Sequence, residues 1–597
     1  MKWFYKIILF AVFIPFIAFA EQPTGGPPTP PSPLLPDGSG GYTLNGLLTI
    51  LTGHTLDIPG ITDNNIPKMG PSGFEDSALS EDAQGKILAV GQIISEIYTI
   101  GTPGRPGFGV AAYQGTLPSG FTALDGSDNP LSANYGNYQY DDGSIMVWIP
   151  KFYYRIFTGS LFPANWIDVK GADFFASTAA ANAAGYALHR AFIDGGIEQD
   201  GFFIDKYKCS KAASGAGYIA SSIRNGDPIS AHPDHNPIAD LTACSGNYYY
   251  ETINAAHARD GVDGAVNPSS IFHVTSRFQY SALAMLAMAH AQATAAATLN
   301  NAWWSSSYPY PKGCNNNALA DTDDTSVTFT SDGYSNACKT GSGVPFAKTT
   351  HNGQACGVAD LNGLMYEVSL GVTCIASGKT ITGATQANPC QITAVGHGRS
   401  TGDYVMVTGV GGMTELNDKL YQITVVDSDN FTLDDINATG YSAYTAGGTA
   451  TVGDFYVAKQ ATAMADFTSG NSGATDHWGS TGVAAMMESF SPAFKSGGEF
   501  ALRYGSGSNQ VLSGAASGNG WLLTGLGFPM SGDGIDSTGT STFGKDYFYQ
   551  YVRNELCLLS CASWSVGSFA GVWNVFWNNF RTYSGSTVGF RCGAYVP

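Results

Sequence analysis

The chain has 597 residues, more than one hydrophobic core holds, and its 75 glycines and 13% charged residues are typical of a loop-rich globular protein. Roughly two to four domains are expected for this length. The formal charge is −19 and the 28 basic residues form no cluster, which excludes phosphate-tracking binding to nucleic acid and adhesion to anionic membranes.

Residues 1–20 have the pattern of a signal peptide. Lys2 and Lys6 precede an apolar stretch, and Ala18-Phe19-Ala20 forms a small-x-small cleavage site. The apolar stretch is shorter than the roughly 20 residues of a membrane span, although a retained anchor stays the alternative. This pattern predicts export to the cell surface or the extracellular space, with no direct membrane binding after cleavage.

Two regions follow the signal-like segment. Residues 21–41 are rich in Pro and then Gly, which predicts an extended linker. Residues 42–143 are interpreted as a stalk or assembly region. Within it, the spacing of apolar residues predicts a helix over Glu81 to Tyr98, capped by Ser80.

From residue 111 the chain changes to short strand-like segments, and residues 144–375 are interpreted as the first part of a domain. "SIMVWIPKFYYRIFTG", residues 144–159, predicts strand interrupted at Pro150. One long helix is predicted over Ser276 to Ala297, which is full of Ala, Leu and Met.

Residues 376–453 predict an inserted module of short strands. Runs of Val, Ile, Thr and Tyr alternate there with Gly, Asn and Asp turns. "GHGRSTGDYVMVTGVGGMTELND" and "VVDSDNFTLD" resemble the small β half-domain of ubiquitin-activating enzyme, without implying that enzyme's cysteine chemistry. The resemblance implies a spacer or binding module, after which residues 454–597 resume the interrupted domain.

The region 562–592 is unusually aromatic. Seven of the 26 residues from Ser563 to Val588 are Trp, Phe or Tyr, and Arg581 is the only charged one. The aromatic residues 569, 573, 576, 580 and 583 are spaced as on an amphipathic helix, so a core helix is one interpretation. The Gly and Asn residues among them are poor helix formers, which favours an irregular binding surface instead.

The order of the flanking segments resembles the C-type-lectin fold of the formylglycine-generating (sulfatase-modifying factor) enzymes. "MVWIPKFYYRI", "GFFIDKYKCS", the long helix, "ADLNGLMYEVS" and "ASW…VGFRCG" follow one another in that order. The resemblance implies an α+β, C-type-lectin-like domain. That family holds copper with two cysteines in the closing segment, and residues 564–589 contain none. The protein is therefore predicted not to be an enzyme, with an oxidoreductase of altered site as the alternative.

The tail itself resembles the variable region of diversity-generating-retroelement target proteins, in which adenines of a template are mutated. The framework of that pattern is matched here by Trp564, Gly567, Ser568, Ala570, Gly571, Val572, Trp573, Asn578, Asn579, Arg581, Ser584, Val588, Gly589, Phe590 and Arg591. The departures fall where the family has template asparagines: Ser563, Ser565, Val566, Phe569, Phe576, Phe580, Tyr583, Gly585, Ser586 and Thr587. Mutating the two adenines of an AAC codon yields every one of these residue types and never Trp.

These ten departures are the predicted ligand-binding residues, and the scaffold beneath them is predicted to be Trp564, Trp573, Trp577, Asn578 and Arg591. Aromatic side chains supply rigid contact area, while Ser and Gly supply adaptable contacts. The resemblance implies a receptor-binding or adhesion protein whose partner is a protein or glycan. A homo-oligomer is compatible with this role. A structural protein of a surface or virion tail is the alternative.

The sequence contains only weak signals for metal binding and for disulfides. Ten cysteines permit disulfides in an oxidising compartment, but no C-x-x-C motif occurs. No cofactor is predicted. Calcium at Asp321, Asp323 and Asp324 is the alternative to a solvated loop. Glu367 is interpreted as a residue of the fold, because no second carboxylate or His accompanies it in a local motif.

Overall fold

The chain divides into two compact units, Met1–Ser95 and Glu96–Pro597. The computed structural model describes residues 68–70, 73–75, 79–81, 87–89, 108–157, 164–297, 318–321, 325–361, 363–470, 478, 482–499, 501–505, 509–537, 543–544 and 546–596. The predicted signal peptide and linker, residues 1–41, lie outside these ranges.

The first unit contributes four described strands in two antiparallel pairs, which are β1 (Lys68–Gly70), β2 (Gly73–Glu75), β3 (Leu79–Glu81) and β4 (Ile87–Ala89). The helix predicted from Glu81 is wrong where the structure describes it. Ser80 pairs across the ladder with Leu88, and the Gly85 in the sequence between them lowers the helix propensity of the segment.

The second unit begins with a succession of short strands and three helices. In chain order these are β5 (Phe121–Ala123), β6 (Asn137–Tyr140), β7 (Ile145–Pro150), β8 (Phe152–Ile156), β9 (Ile167–Gly171), α1 (Thr178–Ala183), β10 (Ala187–Leu188), β11 (Ile193–Asp194), β12 (Ile197–Glu198), β13 (Gly201–Asp205), β14 (Ser210–Ser214), β15 (Gly217–Ser221), α2 (Glu251–His257), β16 (Phe272–Val274) and α3 (Arg277–Ala297). The helix α3 confirms the long helix predicted from its Ala, Leu and Met content.

The middle of the unit is built of strands alone, apart from short 3-10 turns: β17 (Tyr366–Ser369), β18 (Val372–Thr380), β19 (Gly383–Ala384), β20 (Cys390–Thr393), β21 (Tyr404–Thr408), β22 (Lys419–Val425), β23 (Asn430–Leu433) and β24 (Thr449–Ala458). The described C-terminal part contains α4 (Val483–Met486), β25 (Met487–Ser489), β26 (Gly498–Glu499), β27 (Ala501–Tyr504), α5 (Gly518–Leu526), β28 (Ile535–Asp536), β29 (Tyr547–Tyr549), β30 (Leu556–Ser560), β31 (Val575–Phe580), β32 (Val588–Gly589) and β33 (Cys592–Ala594).

Three larger sheets organise these strands. A six-stranded sheet has the order β16-β33-β13-β7-β6-β5, and a seven-stranded sheet has the order β28-β27-β29-β31-β30-β17-β32. A nine-stranded sheet holds β18 to β24, with β25 paired to β24 and β26 paired to β22. Since β32 and β33 enter different sheets, the last residues of the chain connect the seven-stranded sheet to the six-stranded one.

The nine-stranded sheet contains the predicted module. A hydrophobic cluster of its own fills it, built on Ile392, Val405, Ile423, Phe431 and Leu433. Its two long strands, β18 and β24, pair over nine residues and lead back into the main core, where Val372 and Val457 are buried. The module is therefore continuous with the rest of the unit through these strands.

The prediction of an α+β, C-type-lectin-like fold is wrong. The structure has 31% strand against 16% helix, distributed over several sheets. Apart from α3, the α-helices that the structure describes have only four to nine residues. The short apolar runs between Gly, Asn and Asp turns form strands because β-branched and aromatic side chains fit a pleated surface, and glycine inside a helix is costly. One long helix and the order of the segments do not determine the fold class, because neither fixes how the strands pair.

Candidate functional site

The tail leaves β30 through an unusual turn. Cys561 and Ala562 are both buried and both adopt left-handed backbone, with φ of 71° and 58°. Residues with a Cβ avoid this region, at a cost of roughly 1–2 kcal/mol each. The turn is held by the Gly363 amide, which donates to the Cys561 carbonyl at 2.9 Å. Three residues after Ala562 the chain reaches the surface, where Ser565 is exposed and Val566 is half-buried.

The strand β31 carries the centre of the predicted site between two neighbours. It runs parallel to β29 and antiparallel to β30. Val575 and Trp577 are buried and Phe576 between them is half-buried, as the alternation of a strand with one core face requires. The helical interpretation of the aromatic spacing is therefore wrong.

A β-bulge in this strand separates Phe576 from Phe580. Phe576 faces Leu559 across the ladder and Phe580 faces Leu556, with a register shift between these pairs. Leu556 and Leu559 lie three residues apart on β30 and so point to opposite faces of the sheet. Because the bulge adds one residue to β31, it turns Phe580 to the other face from Phe576.

Phe576 and Phe569 form a continuous series of ring contacts with three tyrosines, of which Tyr547 and Tyr549 are half-buried and Tyr366 is buried. Ring centroids are 4.9 Å apart for Phe569 and Tyr547, 5.2 Å for Tyr547 and Tyr549, 4.2 Å for Tyr549 and Phe576, and 5.1 Å for Phe576 and Tyr366. We refer to these five residues as the aromatic face. The guanidinium of Arg503 lies 3.9 Å from the centre of the Phe569 ring, close enough for a cation–π interaction.

Phe580 and Tyr583 form a second cluster. Their rings lie 5.5 Å apart, and the guanidinium of Arg553 lies 5.4 Å from the Phe580 ring. Tyr583 is 44% exposed and packs against Tyr249 at 5.7 Å. The ten predicted contact residues thus fall into two aromatic clusters and two loop segments.

The last three predicted contact residues lie in a turn whose backbone is fixed on both sides. The Gly585 amide donates to the Ala231 carbonyl at 2.7 Å, and the Thr587 carbonyl accepts from the Tyr366 amide at 2.8 Å. The Ser586 carbonyl lies 3.2 Å from Nδ1 of His235. All three residues are partly exposed. The turn can therefore change its side chains while its main chain stays in place.

The tryptophans predicted as scaffold lie beneath the surface. Trp577 packs against Phe455, Phe494 and Phe528 with centroid distances of 5.0–5.5 Å. Trp573 contacts Phe543 at 5.1 Å. Trp564 is 4% exposed and Asn578 is half-buried. Each buried indole supplies a large apolar area that holds the tail to the core.

Arg591 lies at the centre of a buried charge network. Its guanidinium donates twice to Glu367, at 2.6 and 2.9 Å, and also to the carbonyls of Asp205 and Ala359. Lys208 Nζ donates to the same carboxylate at 2.6 Å, and the Tyr280 hydroxyl donates at 2.7 Å. The network ties the tail to β17, α3 and the segment after β13.

The charges around Glu367 decide its protonation. Burial alone raises the pKa of a carboxyl group, but Arg591 and then Lys208 outweigh it and lower the pKa of Glu367 to about 2. Three partners donate four hydrogen bonds to this carboxylate and keep it ionised, so it carries no proton for general-acid work. This arrangement is that of a buried structural anion.

The sequence did not point to Tyr366, Tyr547 and Tyr549 as members of the aromatic face. Tyr547 and Tyr549 are half-buried while Phe548 between them is fully buried. The alternation in "DYFYQY" is the signal that identifies them, since it predicts a strand with Tyr547 and Tyr549 on one face. Tyr366 reaches Phe576 because β17 pairs with β30, which in turn pairs with β31.

The aspartates considered for calcium binding and the cysteines lie only partly within the described ranges. Asp323 and Asp324 lie outside them, and Asp321 is buried. Nine of the ten cysteines are described, and all nine are free thiols. None of the helices within the described ranges has the length and apolar composition that crossing a membrane requires.

Comparison with known proteins identifies one segment. The family model of the ubiquitin-activating enzyme E1 FCCH domain matches residues 388–452. This segment is similar to that domain. The match confirms the resemblance predicted for the module and covers β20 to β23 with the first part of β24. No curated protein matches the chain.

Proposed function

We propose that this protein is a non-enzymatic binding protein that presents an exchangeable ligand-binding surface on its C-terminal tail. The proposed surface has two patches, the aromatic face with the exposed tail residues beside it and the Phe580–Tyr583 cluster, because Phe576 and Phe580 point to opposite faces of the sheet. Its partner is a protein or a glycan, reached after export to the cell surface or the extracellular space.

The separation of exposed from buried side chains in the tail carries this proposal. Of the ten predicted contact residues, all but Ser563 are partly or largely exposed. The predicted scaffold residues Trp564, Trp573, Trp577 and Arg591 are buried. A diversified surface requires this arrangement, since exposed substitutions usually change stability by less than about 0.5 kcal/mol and core truncations cost several.

The composition of the surface suits recognition. Aromatic rings in tilted and edge-to-face contact expose rigid area at low entropy cost, and Arg503 and Arg553 lie over aromatic rings of the two clusters. The Ser, Thr and Gly positions around them add adaptable polar contacts. We infer that the exposed positions are varied by a diversity-generating retroelement. The residue types at the ten departures support this inference, since mutation of the adenines of an AAC codon can yield every one of them.

The first test of diversification is to sequence the last hundred or so bases of the gene in many clones, together with the flanking DNA. We expect substitutions confined to the codons of the exposed positions, beside an adenine-rich near-copy and a reverse-transcriptase gene. An invariant tail without a template copy would contradict diversification.

Binding is tested separately, with matched variants of adjacent residues on β31. Phe576→Asn is expected to change which members of a glycan array are bound, and to cost only about 1 kcal/mol because it removes exposed aromatic contacts. Trp577→Ala is expected to destabilise the fold by about 3–5 kcal/mol. A comparable loss of stability from Phe576→Asn, or loss of a multimer with no ligand found, would favour a structural role.

A further inference from the structure

Two cysteine sulfurs lie in contact where the final strand joins the six-stranded sheet. Sγ of Cys209, shortly after β13, is 3.9 Å from Sγ of Cys592, the first residue of β33. Both residues are buried, and Asp205 lies beside them. The Cys209 thiol is 3.4 Å from Oδ2 of Asp205, and the Cys592 amide donates to the same oxygen at 2.7 Å.

The three side chains have the composition of a metal site, since their ligand atoms lie within 4.8 Å of one another. Their surroundings disfavour a cation, however. The Arg259 guanidinium donates to Asp205 at 2.7 Å and to Asp142 at 2.9 Å, so the carboxylate already has a positive partner. Burial, followed by the neighbouring Cys592, raises the pKa of Cys209 and opposes the thiolate that a metal needs.

We propose that Cys209 and Cys592 form a disulfide bond in the mature protein. A disulfide joins two sulfurs at about 2.05 Å, so side-chain rotation has to close a gap of about 2 Å. The backbones are already held together. Phe203 and Ile204 of β13 pair with Ala594 and Gly593 of β33, and the Cys209 amide donates to the Phe590 carbonyl at 2.9 Å.

Formation of the disulfide requires an oxidant that accepts two electrons, such as oxidised glutathione or a disulfide-bearing oxidoreductase of the exporting compartment. One thiol loses its proton, attacks the oxidant's disulfide and forms a mixed disulfide, releasing one thiol of the oxidant. The second cysteine, losing its proton in turn, displaces the other oxidant thiol. Two electrons pass to the oxidant, which leaves as two thiols, and the sulfur–sulfur bond remains in the protein.

The bond would close a loop between positions 383 residues apart and restrict the unfolded chain accordingly. It lies directly after Arg591, below the tail. The disulfide would therefore hold the buried residues beneath the tail in place, and none of the ten predicted contact residues takes part in it. It does not depend on the proposed binding function.

The experiment maps the cysteines of the full chain. The protein is unfolded and reduced, refolded in a buffer rich in oxidised glutathione, alkylated in denaturant and digested without reductant. We expect one linked peptide pair containing Cys209 and Cys592, lost on reduction, and a melting temperature that falls when reductant is added. Alkylation of both residues as free thiols, linkage of either to another cysteine, or a stoichiometric metal ion with both thiols reduced would overturn the proposal.

Substitutions make the assignment specific. Cys209→Ala and Cys592→Ala are each expected to remove the linked pair and the effect of reductant on the melting temperature. Cys561→Ala is the matched control, because Cys561 is also buried and lies near the same end of the chain. It should leave the linked pair in place. Since the peptide map is made on the unchanged protein, a variant that fails to fold does not weaken the test.

Discussion

The FCCH-like module and the C-terminal tail differ in how far along the chain their partners lie. In the module β21 pairs with β22 and β22 with β23, over connections of ten residues (409–418) and four residues (426–429). In the tail β32 pairs with β17 and β33 with β13, more than 200 residues away. The module's hydrophobic pattern is therefore readable within a short window, while the frame of the tail depends on remote segments.

The comparison also separates two kinds of core. The module is filled by apolar side chains such as Ile423 and Phe431. The frame of the tail adds a buried ion network to its tryptophans, with Arg591 and Glu367 separated by 224 residues. Apolar packing loses stability in proportion to the atoms removed, whereas a buried charge that loses its partner is destabilising out of proportion to its size.

Removing a charge from the tail network gives the largest expected effect. Arg591→Met should lower the free energy of unfolding by about 3–5 kcal/mol, because Glu367 keeps only Lys208 as a positive partner in a buried site. Chemical denaturation of the purified chain measures this. Arg399→Met in the module is the matched control, expected within about 0.5 kcal/mol, since Arg399 is half-exposed and bonds a single serine. If Arg591→Met and Arg399→Met lowered the free energy of unfolding equally, the proposed difference between the tail network and the module would be wrong.

Acidification tests the same network without removing a residue. The pKa of Glu367 is lowered to about 2 from an ordinary value of 4.5, so its ionised form stabilises the folded state above about pH 4.5. This contribution, about 3 kcal/mol from the shift in pKa, should disappear as the pH falls from about 4.5 to about 2.

The variant Glu367→Gln isolates that contribution, because it cannot titrate at this position. The stability difference between the unchanged protein and Glu367→Gln should shrink across that pH interval in urea titrations. A difference that stays constant with pH would show that Glu367 is not the titrating group.

The smallest of these effects is expected in the module. Ile423→Val removes one methyl group from its core and should cost about 0.5–1.5 kcal/mol. Hydrogen exchange should show loss of protection in β22 and its neighbours, with the tail amides unchanged. Loss of protection spreading to β31 would mean that the module and the tail unfold together through β18 and β24.

The outcome of the sequence predictions follows the same division. The module and α3 were predicted because their patterns repeat over neighbouring residues. The fold class was not, because the pairing of short strands such as β13, β17 and β30 is decided by contacts far apart in sequence. For the site, the tail residues were identified from their composition, but Tyr366 lies beside Phe576 only because β30 pairs with both β17 and β31.

The sequence by itself determined the composition of the tail, the long helix, the module and the absence of cysteine between Trp564 and Gly589. Only the tertiary structure decided which aromatic side chains share a surface. The β-bulge in β31 turns Phe580 away from Phe576, and β29 places Tyr549 beside Phe576. Side-chain direction in a sheet follows from register, and register is set by the whole sheet and by the core on which it packs.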